Sequence, residues 1–345
     1  MCQNIIYDTE GYFSGVYKVG PEETYNNGKS VCSGYSRLFE YLGTYIGLDI
    51  KCVSGYAKGY GYQHGEKISG TNHEWNIIKL KNVLYPIDST WGAGYLKDKQ
   101  FKKVFREFYF CTDTYEFIFS HFPEEDKWQL IYPTVTIEEF SKFANFKEKM
   151  FKFFITEAIY HTLQVKGMIV IPFLHMNKKD NIEVLVDIYD KEENETKDAL
   201  NTIIYGAEMI LLLFIFKKIG TYKADIYADY RNIESKSFLV SYYFENEEEF
   251  EETPETPFSL PKIYNNDITI IEPIFNIMKK GEKVRIRMHS VVTDEIIITN
   301  DKWLYIKKNE RDFFEATITV NTDEIFIGRK TDEKDFLTSI IYEVN

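Results

Sequence analysis

The chain has 345 residues, 44% of them hydrophobic and 17% aromatic, which is enough material for two or three domains and too apolar for a disordered protein. A formal net charge of -13 repels phosphate backbones and anionic headgroups, so neither nucleic acid nor a membrane surface is expected as a partner. Four cysteines, Cys2, Cys32, Cys52 and Cys111, fall at irregular spacings without a CxxC pair, a pattern that suits neither a disulfide framework nor a zinc knuckle and points to a reducing compartment.

The amino terminus, MCQNIIYDTE, lacks the basic and apolar regions of a secretory peptide, and a cytoplasmic protein is expected. After Gly28-Lys29-Ser30, apolar residues recur at Val31, Tyr35, Leu38, Phe39, Leu42 and Ile46. That spacing is one helical face, with Ser30 as N-cap and Gly47 at the left-handed cap position. Cys32 then falls in the first turn, where free backbone N–H groups and the positive end of the helix dipole lower a thiol pKa. The same amides can face a developing oxyanion. The next loop, residues 58–70, carries glycines at 59, 61, 65 and 70 around His64 and reads as a solvated, lid-like segment. No GxxxxGK[ST] phosphate cradle occurs at Gly28-Lys29-Ser30 or elsewhere.

Two apolar runs, His73-Glu74-Trp75-Asn76-Ile77-Ile78-Lys79-Leu80 and Val83-Leu84-Tyr85-Pro86-Ile87-Asp88, flank the polar pair Lys81-Asn82, the signature of a β-hairpin. Pairing Leu80 with Val83 sets Trp75 opposite Asp88, so His73 and Asp88 become diagonal neighbours on one face, within ~7–8 Å at their Cβ atoms. An imidazole and a carboxylate can meet across that gap and leave the other ring nitrogen free for a thiol proton. Cys32, His73 and Asp88 thus form a candidate nucleophile, base and orienting acid. Pro86 lacks a ladder donor, which requires an edge strand.

Beyond the hairpin, His121 beside Phe122-Pro123 reads as a packing or capping residue, and Cys52 and Cys111 as core thiols. Strand-length apolar runs follow at 151–155, 168–174, 182–188, 209–216, 224–230 and 238–244, which predicts a β-sandwich. The longest of them, 209–216 (MILLLFIF), is well short of the ~20 residues that cross a bilayer. The acidic, proline-containing stretch 245–257 reads as an extended linker, and strand patterns at 283–288, 295–298, 316–320 and 325–327 predict a second sandwich.

The segments NIIYDTEGYF, GKSVCSGYSRLFEYL, SGYAKGYGYQHG, NHEWNIIKL and LYPIDSTWGAGY resemble the transglutaminase-like (papain-like cysteine protease) superfamily, most closely the kyphoscoliosis peptidase group. Phe117 to Pro123 and Trp128-Gln129-Leu130 look like the segment that closes this domain in that group. The resemblance implies an α+β architecture: a transglutaminase-like domain at 1–132, with a helix packed on an antiparallel sheet, then two immunoglobulin-like β-sandwich domains at 133–248 and 257–345. The group has a longer stretch before NIIYD, so the first domain is expected to be N-terminally shortened. Carried over, Cys32 is similar to the nucleophile, His73 to the general base and Asp88 to its orienting acid. Relatives supply an oxyanion side chain upstream of the nucleophile, for which Tyr25 or Gln3 are the nominees here, while Trp75 and Trp91 are expected to pack around the triad and exclude water.

Two functions follow as expectations. One is a cysteine peptidase or transglutaminase-like acyl-transfer enzyme acting on protein substrates, cytoskeletal ones by resemblance. The other is a non-catalytic cytoskeletal or cytokinesis adaptor with a vestigial triad, favoured by the long β-rich part that bears no evident chemistry. Neither needs a metal or an organic cofactor, and protein is the expected partner in both.

Overall fold

In the computed structural model the chain divides into two compact units, Met1–Glu148 and Lys149–Asn345. The structure describes residues 4–177, 181–206, 209–250, 262–263, 268–272, 278–290, 292–309, 313–330 and 336–344.

The first unit runs β1 (Ile6–Tyr7), α1 (Thr9–Ser14), α2 (Pro21–Asn27), β2 (Lys29–Ser30), α3 (Cys32–Tyr45), β3 (Asp49–Ala57), β4 (His73–Leu80), β5 (Val83–Ile87), β6 (Gly94–Lys97), β7 (Gln100–Lys103), α4 (Thr114–Phe117), β8 (His121–Pro123) and α5 (Ile137–Lys142). Its main sheet has the order β5-β4-β3-β8, antiparallel at every pair, and α3 packs against β3 and β4. The hairpin has the expected register, Leu80 opposite Val83. Lys81 and Asn82 both take positive φ, 49° and 71°, the two-residue turn whose twist matches that of paired strands. Pro86 lies on the edge strand of this sheet, where its missing donor removes no inner ladder bond.

Helix α3 differs from its sequence reading in two respects. Its N-cap is Val31, without a side-chain cap bond, while the Ser30 hydroxyl donates to the Lys18 carbonyl at 2.8 Å. The buried stripe also turns away from the expected one: Val31, Tyr35 and Leu38 are buried, but Leu42 and Ile46 are exposed. Gly34, Ser36 and Gly43 lie on the buried side instead. A Cβ at Gly43 would fall 2.2 Å from Ile50 Cδ1, so the absent side chain lets the helix approach β3 closely.

The first unit extends past residue 132 to Glu148 because the segment around α5 is anchored to it. Phe140 and Phe143 offer their carbonyls to the buried Lys58 ammonium at 2.7 and 2.8 Å, and Phe119 packs its ring on Phe143 and Phe146.

The second unit is built from α6 (Glu148–Phe153), β9 (Phe154–Ile155), β10 (Thr162–Val165), β11 (Met168–His175), β12 (Ile182–Asp190), β13 (Ala199–Tyr205), β14 (Met209–Phe216), β15 (Gly220–Tyr230), β16 (Ser237–Asn246), β17 (Lys262–Ile263), β18 (Thr269–Glu272), β19 (Lys283–His289), β20 (Glu295–Asn300), β21 (Lys302–Lys307), β22 (Phe313–Thr319), β23 (Glu324–Lys330) and β24 (Phe336–Glu343). Two four-stranded sheets, β10-β16-β15-β12 and β13-β14-β11-β9, precede a five-stranded sheet, β17-β24-β23-β20-β21, and a three-stranded one, β18-β19-β22. The run at 151–155, expected as a strand, is mostly the end of α6, with Met150 and Phe153 buried one turn apart. The expected linker begins inside β16, which runs to Asn246, and its residues 251–257 lie outside the described residues.

Strand β14 is buried along its whole length. Phe214 and Phe216 meet Phe244 at ring-centroid distances of 4.8 and 5.1 Å. The alternate residues Met209, Leu211, Leu213 and Ile215 join a core with Ile286, Met288, Ile296, Ile298 and Phe314. A strand covered on both faces needs an unbroken apolar run, and MILLLFIF supplies one.

Candidate active site

Helix α3, the start of β4 and the residue that follows β5 bring Cys32, His73 and Asp88 together. Cys32 opens the helix, His73 opens β4, and Asp88 follows Ile87 where the β4–β5 ladder ends. His73 Nε2 donates to Asp88 Oδ2 at 2.7 Å. Cys32 lies close enough to His73 and to the backbone N–H of Glu74 for both to lower its pKa. Because Nε2 is committed to the carboxylate, Nδ1 is the ring nitrogen left for sulfur.

Electrostatics favours the charged forms of all three groups. Burial pushes the Cys32 thiol up, but the neighbouring His73 outweighs it and holds the pKa below the usual thiol value. Burial likewise opposes charge on His73, yet Asp88 and Cys32 raise its pKa to about 10. Asp88 is fully buried. The desolvation penalty is overcome by His73 and His121, which keep its carboxyl well below the ordinary carboxylate range. The neighbours of each group thus favour its charged form, and the carboxylate aligns the His73 ring. Cys52, by contrast, is pushed up to about 12, mainly by burial, and burial also raises Cys111.

Asp88 is anchored at both oxygens. Oδ1 accepts the backbone N–H groups of Thr90 and Trp91 at 2.8 and 3.0 Å. Oδ2 accepts a second imidazole, His121 Nε2, at 3.1 Å. His121 is therefore part of the site and more than the packing residue its sequence context implied. Nothing local marks it: Ala57 pairs with His121 across β3 and β8, a long-range contact that no sequence spacing announces.

Trp75 and Trp91 line the histidines. Their rings lie 6.2 and 5.5 Å from His73 and 5.2 and 4.5 Å from His121. Tyr25 is 69% exposed on α2, a position poorly suited to an oxyanion donor, which needs shelter from water. Gln3 lies outside the described residues. Tyr7, overlooked in the sequence, is opposite Ser30 in the β1–β2 pairing. Its hydroxyl is raised far above the tyrosine range by burial and then by the charge on Cys32, so it stays protonated beside the sulfur. His64 sits in the 58–70 loop against the Tyr62 ring.

His73, Asp88 and His121 also place three ligand-capable atoms within 4.8 Å of one another. Both imidazole Nε2 atoms are at hydrogen-bond distance from one carboxylate oxygen, which requires a proton on each nitrogen, whereas a metal ligand needs a bare one. The geometry fits an anchored carboxylate, not a cation site.

The comparisons with known proteins show a transglutaminase-like relationship over about a third of the chain. Kyphoscoliosis peptidase of Mus musculus is 34% identical over 155 residues, covering 44% of this chain and 23% of the relative. The Homo sapiens protein of that name is 37% identical over 123 residues, covering 35% and 19%. Hillarin of Drosophila melanogaster is 28% identical over 133 residues, covering 34% and 16%. The chain thus spans about a fifth of the length of these relatives. No family model matches. Among solved structures, the periplasmic chaperone SfaE overlaps 54% of this chain and 97% of its own at 8% identity and a TM-score of 0.22, a likeness too slight to carry an argument. No helix among the described residues is long and apolar enough to cross a membrane.

Proposed function

We propose that the first unit is a papain-like, transglutaminase-like domain that performs cysteine-dependent acyl transfer on protein substrates. The observation that carries this reading is the 2.7 Å bond from His73 to the buried Asp88, with Cys32 near enough to His73 for its pKa to be lowered despite burial. The Cys32 thiolate attacks a carboxamide or peptide carbonyl, forming a C–S bond and a tetrahedral oxyanion. Collapse expels the amine, which takes its proton from His73 Nδ1, and leaves a thioester on Cys32. Water, deprotonated by the now neutral His73, then releases the acid, or a lysine amine takes the acyl group and forms an isopeptide bond.

The uncapped first turn of α3 offers amide N–H groups to the oxyanion, and the Tyr7 hydroxyl, kept protonated by burial and by the charge on Cys32, is the proposed side-chain donor beside them. On the resemblance to the kyphoscoliosis peptidase group, cytoskeletal proteins are the proposed substrates. A peptide bearing a thiol-directed electrophile tests the reading. It is expected to label Cys32 of the wild type and to leave Cys32→Ala and His73→Ala unlabelled. Equal labelling of Cys32→Ala, or reaction at Cys111 in preference to Cys32, contradicts the proposal and favours the adaptor.

A further inference from the structure

The second imidazole on Asp88 has no part in the steps above. His121 is 1% exposed, stacked on the Phe117 ring at 3.9 Å and 12°, with Nε2 3.1 Å from Asp88 Oδ2 and Nδ1 2.8 Å from Ser120 Oγ. An ionised carboxylate only accepts, so Nε2 must carry a proton. Ser120 Oγ donates to the Phe117 carbonyl at 3.4 Å and so holds the ring from its Nδ1 side. The bond to Asp88 places a proton on Nε2.

We propose that His121 is a positioning residue: an N–H donor, held in place by Ser120 and the Phe117 ring, that shares Asp88 Oδ2 with His73 and so limits how firmly His73 holds its proton. An oxygen that accepts two N–H bonds is a weaker partner for each than one that accepts a single bond. His73 must hold a proton to stabilise the thiolate and must release it to the leaving amine. A carboxylate bound to His73 alone would favour the first task at the expense of the second. His121 tempers the pair without adding charge, since burial lowers its own pKa to about 4 and keeps it neutral at physiological pH.

The titratable groups that face this cluster are Asp88 after β5, His73 on β4, Cys32 on α3, Tyr7 on β1, and Tyr109, whose ring is 6.2 Å from His121 and whose hydroxyl accepts from Arg106. Burial raises Tyr7 and Tyr109 far above neutrality, so they carry no charge in the range of interest. The pH dependence of the cluster therefore belongs to Cys32 and His73.

This inference rests on the acyl-transfer reading of Cys32, and the test separates the two. Iodoacetamide alkylation of Cys32 is followed by mass spectrometry from pH 4 to 11 in the full chain. A wild-type profile with an acid limb below the ordinary thiol pKa and a second step at alkaline pH belongs to the Cys32–His73 pair. A single limb near that of a free thiol removes the triad itself.

With the pair established, His121→Phe keeps the ring stack and deletes the donor. It is expected to move the acid limb down and the alkaline step up, each by about half a pH unit or more. His121→Gln restores an N–H near the same place and is expected to return both toward wild type. Unmoved limbs in His121→Phe, or equal shifts in both variants, overturn the proposal. If His121→Phe does not fold, Ser120→Ala decides: it removes the hydroxyl that holds the ring at Nδ1 and is expected to move both limbs in the same sense by less, and no movement overturns the proposal.

Discussion

The two units solve opposite problems with the same apolar-rich chain. The second buries strand β14 on both faces among aliphatic and aromatic side chains, so its stability resides in dispersed apolar contact. The first buries a carboxylate, a histidine and a lysine within a few residues of its sheet, with a second histidine partly covered beside them, and each of those groups needs a specific partner. Deleting a side chain in the second unit should cost stability and leave chemistry untouched. In the first unit it should cost chemistry out of proportion to stability.

The largest effect expected is on Cys32 reactivity. His73→Ala removes the counter-charge and proton source and should lower acyl transfer by about 10²–10⁴-fold. Asp88→Asn should produce a loss in the same range, because it keeps the shape but deprives His73 of its anionic partner. Turnover of a labelled peptide, read beside a thermal melt, checks both. Tyr7→Phe should cost about 10²-fold in turnover if its hydroxyl serves the oxyanion, with little change in substrate affinity.

In the second unit, Leu211→Ala should lower unfolding free energy by about 2–5 kcal/mol, since both faces of its strand are covered and the cavity cannot collapse easily. Denaturant unfolding measures it. Site-resolved alkylation of Cys32 in the folded variant should be unchanged, and a parallel loss would break the division between the units.

The smallest effects are on the pH dependence of stability. Lys58, buried and facing Lys147, is lowered to about 7, below its unfolded value near 10.4. Between those pH values the unfolded chain binds a proton that the folded one lacks, so this residue makes stability rise with pH. His73, raised to about 10, works in the other direction, but the lowered pKa of Cys32 offsets it: a thiol with a neutral imidazole binds as many protons as a thiolate with an imidazolium. Lys58→Met should therefore make stability fall more steeply with pH than in wild type, by at most about 1.4 kcal/mol per pH unit. Unfolding curves from pH 7 to 10 read the sign.

What the sequence disclosed follows the same division. Local spacing revealed the helix that opens with Cys32 and the hairpin that faces His73 toward Asp88, because a two-residue turn sets the register of everything beyond it. The continuous run of β14 was visible for an equally local reason. His121 and Tyr7 were not visible, since each reaches the site through pairing with a distant strand, Ala57 for one and Ser30 for the other. The exposed half of α3 was misplaced because Leu42 and Ile46 match a helical stripe whose cover the sheet does not provide. Residues 151–153 were misjudged because a short aromatic run suits a strand or a buried helical turn equally.

The most direct measurement of the central claim is competitive alkylation of the native protein at pH 6, with the modified fraction of each cysteine determined by mass spectrometry. If Cys32 stands as a thiolate beside a protonated His73, it reacts far ahead of Cys52 and Cys111, and Asp88→Asn erases the advantage. A Cys32 that reacts no faster than Cys111 at that pH contradicts the account.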